Sequence, residues 1–226
     1  MRGWQVRVLY GPQRIMKITK FGHCCLLIEE GGVRIVTDPG VLSTAQNDLE
    51  NIDSVLITHE HADHFHIDSV KAIVANNPQA IIITNTSVGK LLAAEGIPFT
   101  CVEHGQSLDA NGALIEAFGE RHALMHSSIE PIQCTGYFIA GRFYYPGDAL
   151  TNPGKYVEIL GLPVAGPWMK LSEAIDYALE LKPKVCIPVH EGILLSPGST
   201  HLIPPRVLEP AGIAFTILEI GEGREF

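Results

Sequence analysis

With 226 residues, 46% of them hydrophobic and 18% charged, the chain has apolar material for a sizeable core, which excludes a disordered or fibrous protein and suits one layered α/β domain. Its formal net charge of -9 disfavours nucleic acid as a partner, because that binding draws on clustered cations. No apolar run reaches the ~20 residues of a membrane helix, and the five cysteines (Cys24, Cys25, Cys101, Cys134, Cys186) form no C-x-x-C pair, so a cytoplasmic protein with no membrane partner is expected.

Residues 1–15 alternate loosely (Trp4, Val6, Val8, Tyr10) and are read as an N-terminal extension or an extra strand, with the main domain over residues 16–226. From Met16 the pattern settles into Lys17 to Lys20, then Cys24 to Ile28, a Gly31-Gly32 turn and Val33 to Val36, the start of a β-hairpin arrangement. The neighbours Cys24 and Cys25 point to opposite faces of a strand and read as core. The β-branched run from Asp53 to Thr58 suits a buried strand leading into a histidine-rich loop.

A helix is expected over Ile67 to Asn76, stopped by Asn77-Pro78, followed by a strand at Ala80 to Thr84 and a helix at Val88 to Glu95 closed by Gly96. The second half continues in the same style. Strands are expected at Ala113 to Phe118, Gly136 to Ala140, Arg142 to Tyr145 and Val185 to Val189. Between the last two, Leu171 to Leu181 places Leu171, Ile175, Ala178 and Leu179 on one helical face. No repeat or linker interrupts the chain, so the two halves are read as similar lobes of one domain.

The chemistry concentrates in the loop after Thr58. Within six residues it carries His59, His61, Asp63 and His64, all donors to first-row metals. In an extended segment residues i and i+2 share a face, so His59 and His61 can converge on one ion, while Asp63 and His64 face a second position. The helical H-E-x-x-H motif fails, because the place four residues after His59 is Asp63. A P-loop, a G-x-G-x-x-G turn and a G-x-S-x-G elbow are all missing.

The run Thr58-His59-Glu60-His61-Ala62-Asp63-His64 at a strand end resembles the signature of the metallo-β-lactamase superfamily. Three later segments carry the resemblance on: Gly119-Glu120-Arg121-His122, Tyr145-Pro146-Gly147-Asp148 and Pro188-Val189-His190-Glu191-Gly192. What the resemblance implies is an αββα sandwich of class α/β. It implies one metal held by His59, His61 and His122, a second by Asp63, His64 and His190, and Asp148 bridging them. His126 competes with His122 for the third place on the first metal, while His23, His66, His104 and His201 are not expected to be ligands. Asp38, in an Asp-Pro-Gly turn, is a candidate to hydrogen-bond a ligand imidazole from behind.

The implied cofactors are two divalent ions, zinc first with manganese or iron as alternatives. Two such ions roughly 3.5–4 Å apart lower the pKa of a shared water to near neutrality. The resulting hydroxide attacks, and Asp63 orients the water and takes its proton. The expected enzyme is therefore a metal-dependent hydrolase acting on an ester, lactone or phosphoester of a small molecule. Within the superfamily the compact length and Pro-x-His ending look most like the L-ascorbate 6-phosphate lactonase-like group, although Tyr145 stands where such proteins often carry histidine. A di-iron redox protein and a non-catalytic metal-binding member are the competing readings, and a homo-oligomer stays open.

Overall fold

The computed structural model describes residues 15–226. The extension or strand read over residues 1–15 lies, apart from Ile15, outside the described residues. In chain order the strands are β1 (Met16–Gly22), β2 (Cys25–Glu30), β3 (Val33–Thr37), β4 (Ser54–Leu56), β5 (Ile81–Thr84), β6 (Thr100–Cys101), β7 (Ser107–Ala110), β8 (Ala113–Phe118), β9 (Gly136–Ile139), β10 (Phe143–Tyr145), β11 (Ile159–Pro163), β12 (Val185–Val189), β13 (Ala214–Phe215) and β14 (Gly223–Glu225). The α-helices are α1 (Ile67–Asn76), α2 (Thr86–Ala94), α3 (Leu171–Leu181), α4 (Ser199–Leu202) and α5 (Pro204–Leu208).

Among the described residues the strands form two seven-stranded sheets, ordered β14-β1-β2-β3-β4-β5-β6 and β13-β12-β11-β10-β9-β8-β7. In each sheet four neighbouring strands pair antiparallel and the other three continue parallel to the last of them. In the first, β14, β1, β2 and β3 run antiparallel while β4, β5 and β6 continue parallel to β3. In the second, β7 to β10 run antiparallel and β11, β12 and β13 continue parallel to β10.

Side-chain alternation sorts each strand between two cores. Met16, Ile18, Leu26, Ile28, Val33 and Ile35 pack with Ile115, Tyr137, Ile139, Phe143 and Ile187 between the sheets. The alternate residues Cys25, Leu27 and Val36 face outward and pack with Val70, Ile73, Val88 and Leu92 of α1 and α2. On the other side, Phe138, Tyr144, Leu160 and Leu162 pack against Ala174, Ile175, Ala178 and Leu181 of α3 and Leu208 of α5. Burying each such aliphatic side chain contributes about 1.5–3 kcal/mol. The result is a helix–sheet–sheet–helix sandwich, the α/β architecture expected from the motif pattern. Among the described residues no helix is long and apolar enough to cross a membrane.

Candidate metal centre

The candidate ligands leave the sheets where strands end. After β4, Ile57 N–H still donates to Ile83 of β5 at 3.1 Å, and the chain then turns sharply, with His64 N–H and Phe65 N–H both donating to His61 O at 2.9 and 2.8 Å. That turn folds the four donors His59, His61, Asp63 and His64 back on themselves before α1 begins. The loop after β3 holds the turn from outside, through Val41 N–H to Ala62 O at 2.9 Å and His66 N–H to Pro39 O at 3.1 Å. From the second sheet come His122 after β8, Asp148 after β10 and His190 after β12. The first two are tied together by Ala123 N–H donating to Asp148 O at 2.8 Å.

All seven residues converge. Donor atoms of His59, His61, His122 and Asp148 lie within 4.8 Å of one another, and His59 Nε2 faces His61 Nδ1 at 3.1 Å. Asp148 stands between two sets of imidazoles: His122 Nε2 and His190 Nε2 lie 3.4 and 2.8 Å from its Oδ2, and His64 Nε2 lies 3.1 Å from its Oδ1. Asp63 Oδ2 is 3.5 Å from His190 Nε2 and 3.8 Å from His64 Nε2.

Hydrogen bonds on the far side of the rings fix which nitrogen points inward. His122 Nδ1–H donates to Ala123 O at 2.7 Å, and His64 Nδ1–H donates to Asp38 Oδ2 at 2.6 Å. Thr58 Oγ1 donates to Asp38 Oδ2 at 2.7 Å, which leaves its lone pairs for His59 Nδ1–H at 3.0 Å. Each ring thus turns an Nε2 lone pair toward the others. His64 Nε2, His122 Nε2, His190 Nε2 and Asp148 Oδ1 are buried with no hydrogen-bond partner, a costly state for polar atoms unless a ligand completes them. Imidazole nitrogens and carboxylate oxygens in this number fit zinc and its first-row neighbours.

The protonation states suit the same use. Burial first, and then neighbouring His64, push His59 well below the ordinary histidine range, which keeps its lone pair free. Burial works against ionisation of Asp148, but His64, His122 and His190 outweigh it and hold the carboxyl well below the usual carboxylate range. Asp63 likewise resists burial through its hydrogen bond with His23 and lies at about 2.

Asp38 accepts from Thr58 N–H at 2.8 Å as well as from Thr58 Oγ1 and His64 Nδ1. His126 is exposed and bonded to Ser128 at 2.7 Å. His66 bonds Ser69, His104 accepts from Gly119 N–H, and His201 sits by Glu191, all outside the cluster. Five residues to which sequence reasoning assigns no role at the site also take part. Thr58 and Tyr145 bond Asp38, the latter by its hydroxyl at 2.7 Å. Trp168 Nε1–H donates to Asp148 Oδ2 at 2.8 Å, and His23 bonds Asp63 at 3.1 Å with Cys24 beside it. A cleft of about 500 Å³ opens onto the site, lined by His61, Asp63, His122, Asp148 and His190 and by the apolar Met125, Pro167, Trp168 and Ile193.

Residues 17–190 match the family model described as the β-lactamase superfamily domain. The chain belongs to the metallo-β-lactamase superfamily. It is similar to Protein Rv0786c of Mycobacterium tuberculosis, 33% identical over 90% of this chain and 96% of the other. The UPF0173 metal-dependent hydrolase MJ1163 of Methanocaldococcus jannaschii is 28% identical over 92% of this chain and 99% of its own. Among solved structures, Igni18, a metallo hydrolase from Ignicoccus hospitalis, shares the fold with a TM-score of 0.74 at 24% identity, covering 94% of this chain and 98% of that one. With this superfamily, these relatives and this donor cluster, the chain is a metal-dependent hydrolase.

Proposed function

We propose that this metallo-β-lactamase-fold enzyme binds two divalent ions, zinc first among them, and cleaves a neutral ester or lactone of a small molecule bearing an apolar group. The observation that carries this reading is the union of seven converging metal donors with a cleft whose remaining walls are Met125, Pro167, Trp168 and Ile193. No lysine or arginine lines that cleft among the described residues. A phosphate arm would have only the ions themselves as counter-charge, so the lactone part of the ascorbate 6-phosphate lactonase likeness is favoured over its phosphate part. His59, His61 and His122 would hold one ion, Asp63, His64 and His190 the other, and Asp148 would reach both.

When bound, the ions supply Lewis acidity toward the attacked carbonyl and bring the pKa of water down toward neutrality. Asp63, its side chain 25% exposed, borders the cleft and can hydrogen-bond the attacking water. As water adds to the carbonyl carbon, Asp63 takes its proton; as the carbon–oxygen bond breaks, Asp63 passes that proton to the departing oxygen. His23 holds the carboxylate in place from behind, and Trp168 does the same for Asp148.

The test is a panel of esters, lactones and phosphodiesters offered to metal-loaded protein, repeated after exhaustive chelation and after adding back Zn²⁺ or Mn²⁺. Turnover of apolar esters or lactones that vanishes on chelation and returns with metal is expected. Preference for phosphodiesters, or full turnover without metal, would overturn the proposal.

A further inference from the structure

Next to the second group of donors lies a thiol that hydrolysis as proposed leaves idle. Cys24 follows β1 with its side chain 1% exposed. Its Sγ and donor atoms of His23, His64 and His190 lie within 4.8 Å of one another. Hydrogen bonds divide this cluster into engaged and free atoms. His23 is engaged at both nitrogens, since Gly192 N–H donates to Nδ1 at 3.1 Å, which puts the ring proton on Nε2 facing Asp63 Oδ2 at 3.1 Å. His64 commits Nδ1 to Asp38 and keeps Nε2 free. His190, 2% exposed, makes no aligned hydrogen bond at either ring nitrogen, and its Nε2 faces Asp148 Oδ2 at 2.8 Å.

One thiol and two imidazoles therefore remain with lone pairs to give. We infer that Cys24 Sγ is a ligand of the second ion, forming with His64 and His190 a Cys-His₂ donor set that Asp63 or Asp148 completes. The inference rests on the two-ion reading of the site. Asp63 approaches from the cleft, whereas Cys24 belongs to the apolar cluster between the sheets with Leu26 and Ile28, so the ion would have a wet carboxylate side and a dry thiolate side. Binding releases the thiol proton to solvent, one proton for each ion that takes Cys24. A thiolate makes the position select zinc, cobalt or ferrous iron over magnesium or manganese. Cys134 is the other cysteine near the site, but its Sγ lies 3.8 Å from His59 Nδ1, the nitrogen on the Thr58 side of that ring, and 3.9 Å from Pro146 O.

The decisive experiment loads the full chain with Co²⁺, counts the cobalt and records the absorption spectrum. Sulfur bound to cobalt gives an intense near-ultraviolet charge-transfer band, separate from the weaker visible bands that nitrogen and oxygen ligands produce. The band is expected in the wild type and in Cys134→Ser and is expected to vanish in Cys24→Ser, which keeps its visible bands. Two cobalt ions per wild-type chain with no charge-transfer band would overturn the thiolate ligand while leaving the two-ion site intact. A wild type that takes up one cobalt or none would remove the two-ion reading itself. A band that survives in Cys24→Ser and disappears in Cys134→Ser would move the ligand to the other thiol. The wild-type spectrum alone decides against the inference if the variants do not fold.

Discussion

Asp38 shows how much of the site is set by a residue that need not touch an ion. Its carboxylate accepts from Thr58 N–H, Thr58 Oγ1, His64 Nδ1 and Tyr145 OH, all within 2.6–2.8 Å. That network aims His64 directly and His59 through Thr58. Asp38→Asn is expected to weaken metal binding by about 10–100-fold, the usual cost of losing a carboxylate behind a ligand histidine, whereas Tyr145→Phe removes one of four donors and costs less. Titration against a competing chelator measures both; equal affinity in Asp38→Asn and wild type would reduce Asp38 to a turn residue. The two histidines after β8 give a sharper contrast. His122 is 4% exposed with an orphaned Nε2, and His126 is exposed and bonded to Ser128. His122→Ala should empty the first position and stop turnover, and His126→Ala should leave the metal count at the wild-type level. The reverse pattern would move the ligand to His126. The donors between His59 and His64 are legible in the sequence because their types and spacing are local. Tyr145 and Trp168 are not, because each acts through a partner 107 and 20 residues away respectively, and the indole and phenol look like ordinary core aromatics. His23 is hidden for the same reason, its partner Asp63 lying 40 residues on.

At the level of elements, the donors depend on how tightly the turns after the strands pack on each other. Gly40, in the turn after β3, has no room for a side chain: a Cβ there would sit 1.9 Å from Asp63 O and 2.7 Å from His64 N. Gly40→Ala must therefore push the loop bearing Asp63 and His64 away, and loss of metal from the second position is expected together with a lower melting temperature. Gly154→Ala is the control, since Gly154 has a φ of +66° but nothing within 4 Å of a built Cβ. It should cost on the order of 1–2 kcal/mol from backbone strain and leave metal stoichiometry unchanged. Normal occupancy in Gly40→Ala would show that the loops are looser than their contact implies. The same turns explain what can be read of the elements in advance. α1 and α3 have the bounds that their apolar periodicity and the following proline or lysine-proline stop predict. β11 escapes because it is buried on both faces, carries Gly161 and Pro163, and so shows neither alternation nor a β-branched run. β6 and β13, two residues each, and β14, three, are too short to carry any period. Their strand character comes from neighbours in the sheet.

Across the whole molecule the two sheets repeat one plan, four antiparallel neighbours and then parallel strands, and the site sits where the plans meet. The last strand of each antiparallel set, β3 in one sheet and β10 in the other, ends in a proline-glycine turn beside an aspartate: Asp38-Pro39-Gly40 and Pro146-Gly147-Asp148. The likeness of the lobes is visible in the strand and helix pattern, but β14 pairing back onto β1 from the far end of the chain is not. Because His59, His61, Asp63 and His64 come from the first sheet and His122, Asp148 and His190 from the second, bound ions would fasten the lobes together. Buried polar atoms without hydrogen-bond partners lie at that seam. A ligand present at 100 times its dissociation constant stabilises the folded state by about 2.7 kcal/mol, which for a chain of this size shifts the melting temperature by roughly 5–10 °C. Calorimetry of metal-loaded and chelated wild type should show at least that shift. Asp148→Ala, lacking the carboxylate that reaches both groups of histidines, should bind less than half of the metal and lose most of the increment. Coincident melting curves for wild-type protein with two ions and with none would mean that the unfolded chain holds the ions as tightly as the folded one, and the idea that they fasten the lobes together would have to be abandoned.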